Sequence, residues 1–214
     1  MNKKNQRIRV LIADDHHLIR RGIRQILEQQ ADIEVVAEAI DGEEAQRLTL
    51  ELKPDILLLD LVMPGPQPDE ISRWVRRRCP QIEILILTGH AHDAFLCRMM
   101  EAGAMGFLDK NEAPDLLLES IRRVVLGQVM FSPDQVRRAQ RWRAMIGKHW
   151  EQLTEREQEV LEWMVQGLGN QAIADVMVIS LSTVRSHNRS IFDKLGAKSR
   201  SEAIAFVLHN HLLD

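Results

Sequence analysis

Val10-Leu11-Ile12-Ala13-Asp14-Asp15 is the stretch that decides the fold. A short, wholly apolar run that ends on two carboxylates fits a strand buried on both faces of a parallel sheet, with its polar end at the sheet's carboxyl edge. The pattern returns three times. Asp60 follows Ile56-Leu57-Leu58-Leu59, Thr88 follows Ile84-Leu85-Ile86-Leu87, and Lys110 comes just after Gly106-Phe107-Leu108. Ligands of open α/β sheets bind at the carboxyl ends of the strands. Three carboxylates, a hydroxyl and an ammonium are therefore expected to meet in one crevice. A carboxylate cluster can hold a hard divalent cation such as Mg²⁺, and a lysine with a hydroxyl can receive an anion beside it. That set of groups suits transfer of a phosphoryl group onto a protein carboxylate.

Outward from these ends, residues 1–126 alternate strand and helix patterns, which predicts an α/β domain built on a parallel sheet with right-handed crossovers. The strands are expected over 8–13, 33–39, 56–59, the run ending at Leu87, and 105–108. The first helix is expected over 18–29, with Leu18, Gly22, Ile26 and Leu27 on its inner face. Asp41-Gly42 opens a second helix, and Pro54 bars its continuation. The proline-rich loop 64–68 precedes a third helix. A short helix over 94–100 and a last one with Pro114 in its first turn complete five βα units.

Residues 127–150 differ in kind. Ser132-Pro133 marks a helix start, and Arg137, Arg138, Arg141 and Arg143 lie among Val136, Trp142 and Met145, as in a linker with an amphipathic helix. From Leu153 on, every pattern is helical, so the chain as a whole reads as α/β plus all-α. Thr154 and Glu157 have the spacing of a capping box. Asn170 is expected to cap a short helix and Ser180 a longer one from about Leu181 to Leu195. Two helices joined by the tight turn at Val178-Ile179 have the form of a helix-turn-helix, about Ala172 to Ile191.

Bulk properties bound the class. At 214 residues the chain fits one large or two small domains, at roughly 100–200 residues per domain. The net charge of −3 gives no global sign of a nucleic-acid binder, but residues 170–200 hold five basic and two acidic side chains. A local positive surface is what phosphate contact requires. Cys79 and Cys97 have no motif spacing and are expected to be reduced thiols. The apolar run after the basic N-terminus is too short for a signal peptide, and none approaches the ~20 residues of a membrane span. A cytoplasmic protein without membrane contact is expected.

Asp14-Asp15, Asp60, Met63-Pro64-Gly65, Thr88, Gly103-Ala104, Phe107 and Lys110 resemble a two-component receiver domain, whose fold is flavodoxin-like with strand order 2-1-3-4-5. The resemblance implies that Asp60 is the phosphoacceptor. Asp15, Asp60 and the backbone carbonyl of Val62 would be direct Mg²⁺ ligands, and Asp14 would act through a metal-bound water. Lys110 would pair with the phosphoryl oxygens, Thr88 would move to hydrogen-bond them, and Phe107 would be the aromatic switch. Val62 and His90 occupy positions that in such domains tune loss of the phosphoryl group. The apolar Val62 cannot orient an attacking water, so a long-lived phosphorylated state is expected. His17 stands where closer relatives often have proline.

Thr183-Val184-Arg185-Ser186-His187, Lys194-Leu195-Gly196 and Ser199-Arg200 resemble the four-helix LuxR-type DNA-binding domain, and the whole chain the NarL/FixJ class of response regulators. By that resemblance Arg185, Ser186 and Arg189 read bases, while Thr183 and Lys194 contact phosphates. Gly169 and Gln171 depart from the serine and lysine frequent there. The implied boundaries are a receiver over 1–126, a linker over 127–150 and a DNA-binding domain over 151–214. The implied partners are a sensor histidine kinase, double-stranded promoter DNA, a second copy of the chain after phosphorylation and, as a further candidate, RNA polymerase. Two other readings compete with a phosphorylation-switched regulator. One is a DNA binder whose receiver serves assembly alone. The other is a phosphatase with an aspartyl nucleophile, which needs a second carboxylate where Val62 stands, so an enzyme is not expected.

Overall fold

The computed structural model describes residues 7–89, 92–210, 212 and 213, and its chain divides between Arg138 and Ala139 into two compact units. Five short apolar runs form the strands of the first: β1 (Ile8–Ala13), β2 (Ile33–Ala39), β3 (Ile56–Leu59), β4 (Glu83–Thr88) and β5 (Gly106–Asp109). All neighbours pair in parallel, in the order β2-β1-β3-β4-β5. The helices are α1 (His17–Glu28), α2 (Gly42–Leu52), α3 (Pro68–Arg78), α4 (Asp93–Glu101) and α5 (Pro114–Val124). Val10, Ile12, Ile56, Leu58, Leu85 and Leu87 form one core layer with α1 and α5. Leu11, Leu57, Leu59, Ile84 and Ile86 alternate with them and are equally buried. A sheet covered on both faces explains why these strands are apolar throughout.

The register positions the polar ends. Ala13 pairs with Leu59, and Leu59 with Ile86. The residues that follow, Asp14 and Asp60, are therefore neighbours. β4 runs one residue further than expected, to Thr88, which pairs with Asp109.

Helix α1 corrects the expected phase. Arg20, Ile23 and Leu27 are buried, while Leu18 is 82% exposed and Gly22 is on the surface. A buried guanidinium occupies a position that pattern reading assigns to solvent. Helix α2 opens after Asp41, as expected, and the Asp41 side chain caps it by accepting from the Glu44 N–H.

Residues past α5 do not leave the first unit at once. The Met130 N–H donates to the carbonyl of Met105 (2.6 Å), forming an isolated parallel bridge with β5 at Gly106. Only glycine permits this approach, since a Cβ at Gly106 would lie 2.8 Å from both the Met130 Cβ and Leu85. Helix α6 (Pro133–Trp142) follows, with Ser132 accepting from the Gln135 N–H at its start. Gln135 then donates to the carbonyl of Phe107 (2.9 Å), and Arg138 to Asp93 at the start of α4 (2.7 Å).

In the second unit a π-helical turn (Arg143–Gly147) continues α6 into α7 (Lys148–Glu151). Four helices follow: α8 (Glu155–Val165), α9 (Asn170–Met177), α10 (Leu181–Leu195) and α11 (Arg200–His209). Val160, Leu161, Met164, Ile173, Val184, Ile191 and Val207 are among the residues that close their core. Thr154 and Glu157 form the expected capping box. The N-cap of α9 is Gly169, not Asn170; the Asn170 side chain accepts from Asn188 of α10 (2.9 Å) instead. The tight turn places Val178 in the left-handed region (φ 54), and 89% of its surface is exposed.

Candidate functional site

At the carboxyl edge of the sheet, the Asp14 N–H donates to Ala39 of β2 (3.1 Å) and the Asp60 N–H to Ala13 of β1 (2.9 Å). The ladder thus runs one residue past each strand and holds both backbones in place. The side chains of Asp14 and Asp60 are each only 3% exposed. Lys110 reaches them from the end of β5, where its N–H donates to Thr88 (3.0 Å). Its ammonium lies 2.7 Å from Asp14 Oδ2 and 2.6 Å from Asp60 Oδ2. Burial alone would pull the Lys110 pKa down, but the two carboxylates outweigh it and raise the value above normal. The second oxygen of Asp60 accepts from the Leu61 N–H (2.7 Å), and Oδ1 of Asp14 from the His16 N–H (2.8 Å).

Asp15 stands at the rim, with its carboxylate 2.6 Å from Nδ1 of His16. One donor atom from each of Asp14, Asp15, His16 and Asp60 lies within 4.8 Å of the others. His16 was not anticipated; its signal was adjacency to the acidic pair. Three carboxylates face one ammonium here, and two of the three are buried. Such an excess of negative charge is costly without a further cation. Oxygen donors at this density suit a hard divalent ion, so the residues fit Mg²⁺. Thr88 and Phe107 are buried on β4 and β5, and Phe107 pairs in register with Ile86. Val62 is 44% exposed, while the expected tuning position His90 lies outside the described residues.

The second unit presents a different surface. Ser180 caps α10 by accepting from the Thr183 N–H (3.0 Å). On α10, Val184, Asn188, Ile191 and Leu195 face the core, which turns Arg185, Ser186 and Arg189 outward. Arg185, Arg189 and Lys198 border a hollow of about 460 Å³ beside this helix. Lys194 has a carboxylate partner inside the unit. Its ammonium is 2.6 Å from the carboxylate of Glu157, a buried side chain on α8. Burial pushes the Glu157 carboxyl up, but hydrogen bonds from Lys194, Ser190 and Thr154 outweigh it and bring the pKa down to about 2. The pair ties α10 to α8 within the unit.

Residues 10–122 match the family described as the response regulator receiver domain, and residues 151–207 match the luxR family of bacterial regulatory proteins. The chain belongs to the two-component response regulators. It joins a receiver domain to a LuxR-type DNA-binding domain, as in the transcription regulators of that family. This response regulator is 33% identical to the response regulator protein VraR of Staphylococcus aureus over 206 residues, which cover 96% of this chain and 99% of that protein. A LuxR-family two-component response regulator from Aurantimonas sp. SI85-9A1 is 37% identical, with a TM-score of 0.59 over 65% of this chain and 99% of that one. RcsB from Salmonella enterica serovar Typhimurium, solved on promoter rprA with the phosphomimetic BeF3-, is 26% identical. Its TM-score is 0.59, over 95% of this chain and 99% of that chain. No helix among the described residues is long and apolar enough to cross a membrane.

Proposed function

We propose that Asp60 accepts a phosphoryl group from a sensor histidine kinase and that this event switches DNA binding. The observation that carries it is the position of Lys110, whose ammonium touches Asp60 and Asp14 together in a site short of positive charge. An Asp60 oxygen attacks the phosphorus of the kinase's phosphohistidine, the P–N bond breaks, and the imidazole leaves with its electron pair. Asp14, Asp15 and Asp60, with the backbone carbonyl of Val62, would hold Mg²⁺, which when bound offsets the phosphoryl charge. That group adds close to two negative charges and three strong acceptors. Lys110 exchanges a carboxylate partner for the new oxygens, and Thr88 moves to hydrogen-bond them.

Phe107 follows Thr88 in this account. Its backbone carbonyl already holds Gln135, so a shift of β5 at Phe107 reaches the start of α6 directly. Phosphorylation then favours a homodimer on a two-fold-related DNA site, since dimeric readers match half-site spacing. RcsB bound to promoter DNA in the presence of a phosphomimetic supports this sequence of events by likeness. Arg185, Ser186 and Arg189 read bases in the major groove, where arginine bonds guanine at two points. Thr183 contacts phosphate, which positions without specifying. Because its target is promoter DNA, the protein acts in the cytoplasm. With Val62 in place of a second carboxylate, it carries phosphate and does not turn over a substrate. The working boundaries are a receiver over 1–126, a linker over 127–150 and a DNA-binding domain over 151–214.

The test is DNA affinity at about 0.2 M salt, where non-specific phosphate contacts are weakened. DNA selected from a random pool should bind more tightly after treatment with a small acyl phosphate. Asp60→Asn should lose that response entirely and show no acyl-phosphate adduct by mass spectrometry. Equal enhancement in Asp60→Asn would remove the switch.

A further inference from the structure

We infer that Arg20 is a positioning residue for the acidic site. Its guanidinium clamps the peptide that joins Asp14 to Asp15, and so sets the affinity of the two carboxylates for a divalent cation. The inference rests on the phosphotransfer role proposed above.

Arg20 is 7% exposed, on the inner face of α1. A buried guanidinium needs partners for its donors. Nε donates to Glu38 Oε2 on β2 (2.8 Å), and Glu38 Oε1 in turn accepts from Arg24 (2.7 Å). One carboxylate would neutralise the charge. Nη1 instead donates to the backbone carbonyl of Asp14 (2.6 Å). That carbonyl belongs to the peptide unit carrying the Asp15 N–H, and a peptide unit is planar. Fixing its oxygen fixes where the Asp15 Cα leaves the sheet edge. The peptide on the other side of Asp14 is held as well, through its N–H to Ala39. Asp14 thus sits between two immobilised planes, and its Oδ1 is tied to the His16 N–H. Little besides side-chain torsion is left to the acidic pair. Preorganised ligands bind a cation without bearing that ordering cost on binding.

Lysine cannot substitute. Its ammonium is a point donor on a flexible stem, whereas the planar fork of arginine spans Glu38 and the carbonyl together. Arg24 provides the control. It extends the same ion network, bonding Glu38 and Glu28 and not the Asp14 carbonyl.

The experiment titrates the full chain with MgCl₂ by calorimetry, alongside thermal unfolding. Residues that orient metal ligands typically cost about 10–100-fold in affinity when lost. Arg20→Met should weaken Mg²⁺ binding at least about tenfold, and Arg20→Lys several-fold, while Arg24→Met leaves it unchanged. Phosphorylation of Arg20→Lys by a small acyl phosphate should slow at low Mg²⁺ and recover at saturating Mg²⁺, a split that a loss of stability alone would not produce. Wild-type affinity in both Arg20 variants, or an equal loss in Arg24→Met, would overturn the inference. Absence of Mg²⁺ binding by the wild-type chain would overturn the proposed phosphotransfer site and this inference together.

Discussion

Lys110 and Lys194 are both ammonium groups turned onto buried carboxylates, one in each unit, and they differ in the charge around them. Lys110 faces Asp14 and Asp60, with Asp15 close by, so the cluster stays negative. Lys194 faces Glu157 alone, and Glu157 also accepts from the Thr154 N–H (2.7 Å). The second cluster is neutral and satisfied. Burial and hydrogen bonding look alike in the two, and the uncompensated charge tells them apart. A site short of positive charge suits a divalent cation, and the function proposed above rests on that. A balanced one holds α8 to α10.

Removing each ammonium breaks the comparison most forcefully. Lys194→Met should destabilise the second unit by about 3–5 kcal/mol, because it strands a buried charge. Lys110→Met should destabilise the first unit, but MgCl₂ should restore most of that loss by supplying the missing charge. Denaturant unfolding with and without MgCl₂ measures both; rescue of Lys194→Met by MgCl₂ would erase the distinction.

The Glu157 pair adds a pH signature. Its folded pKa of about 2 lies below the ordinary 4.5, so its contribution is complete above 4.5 and is lost as the pH falls through about 2. The difference corresponds to roughly 3 kcal/mol. Acid unfolding followed through Trp163 should show it, and Glu157→Gln should flatten the profile across that window.

Smaller effects sharpen the outward face of α10. Arg185→Ala or Arg189→Ala should cost about 1–3 kcal/mol of DNA affinity and relax base preference at one position per half-site. Competition binding on single-base variants of the selected site reads this out. Val178→Gly should stabilise the second unit by about 1 kcal/mol, since a β-branched residue is strained at positive φ and this one buries almost nothing. Its thermal midpoint should rise; a fall would mean that the Val178 side chain makes a contact the strain argument leaves out.

Much of this molecule was legible from local pattern. The strand ends could be read because each apolar run stops on a polar residue, and the parallel register then aligns the stops. The caps at Thr154 and Ser180 could be read because a cap needs a donor only two or three residues away. The failures share one cause. Arg20 was not singled out because its partner Glu38 is 18 positions away. The pair of Lys194 with Glu157 was missed because its partners are 37 positions apart. Asn170 looked like a cap because Asn188 is 18 residues ahead. Local pattern also put the inner face of α1 at Leu18 and Gly22, since it had no reason to bury an arginine. The contact of Gln135 with Phe107 carried no signal in the chain at all.

By itself, the order of residues determined two units of different architecture, a cluster of Asp14, Asp15, Asp60 and Lys110 at the sheet edge, and an α10 with Arg185 and Arg189 on one face. Spacing along a strand or helix dictates these, because backbone geometry repeats at a constant period. Only the tertiary structure decided which charges are spent on one another. Pairing between distant side chains depends on how far burial removes water from them, and that is known only once the chain has closed around them.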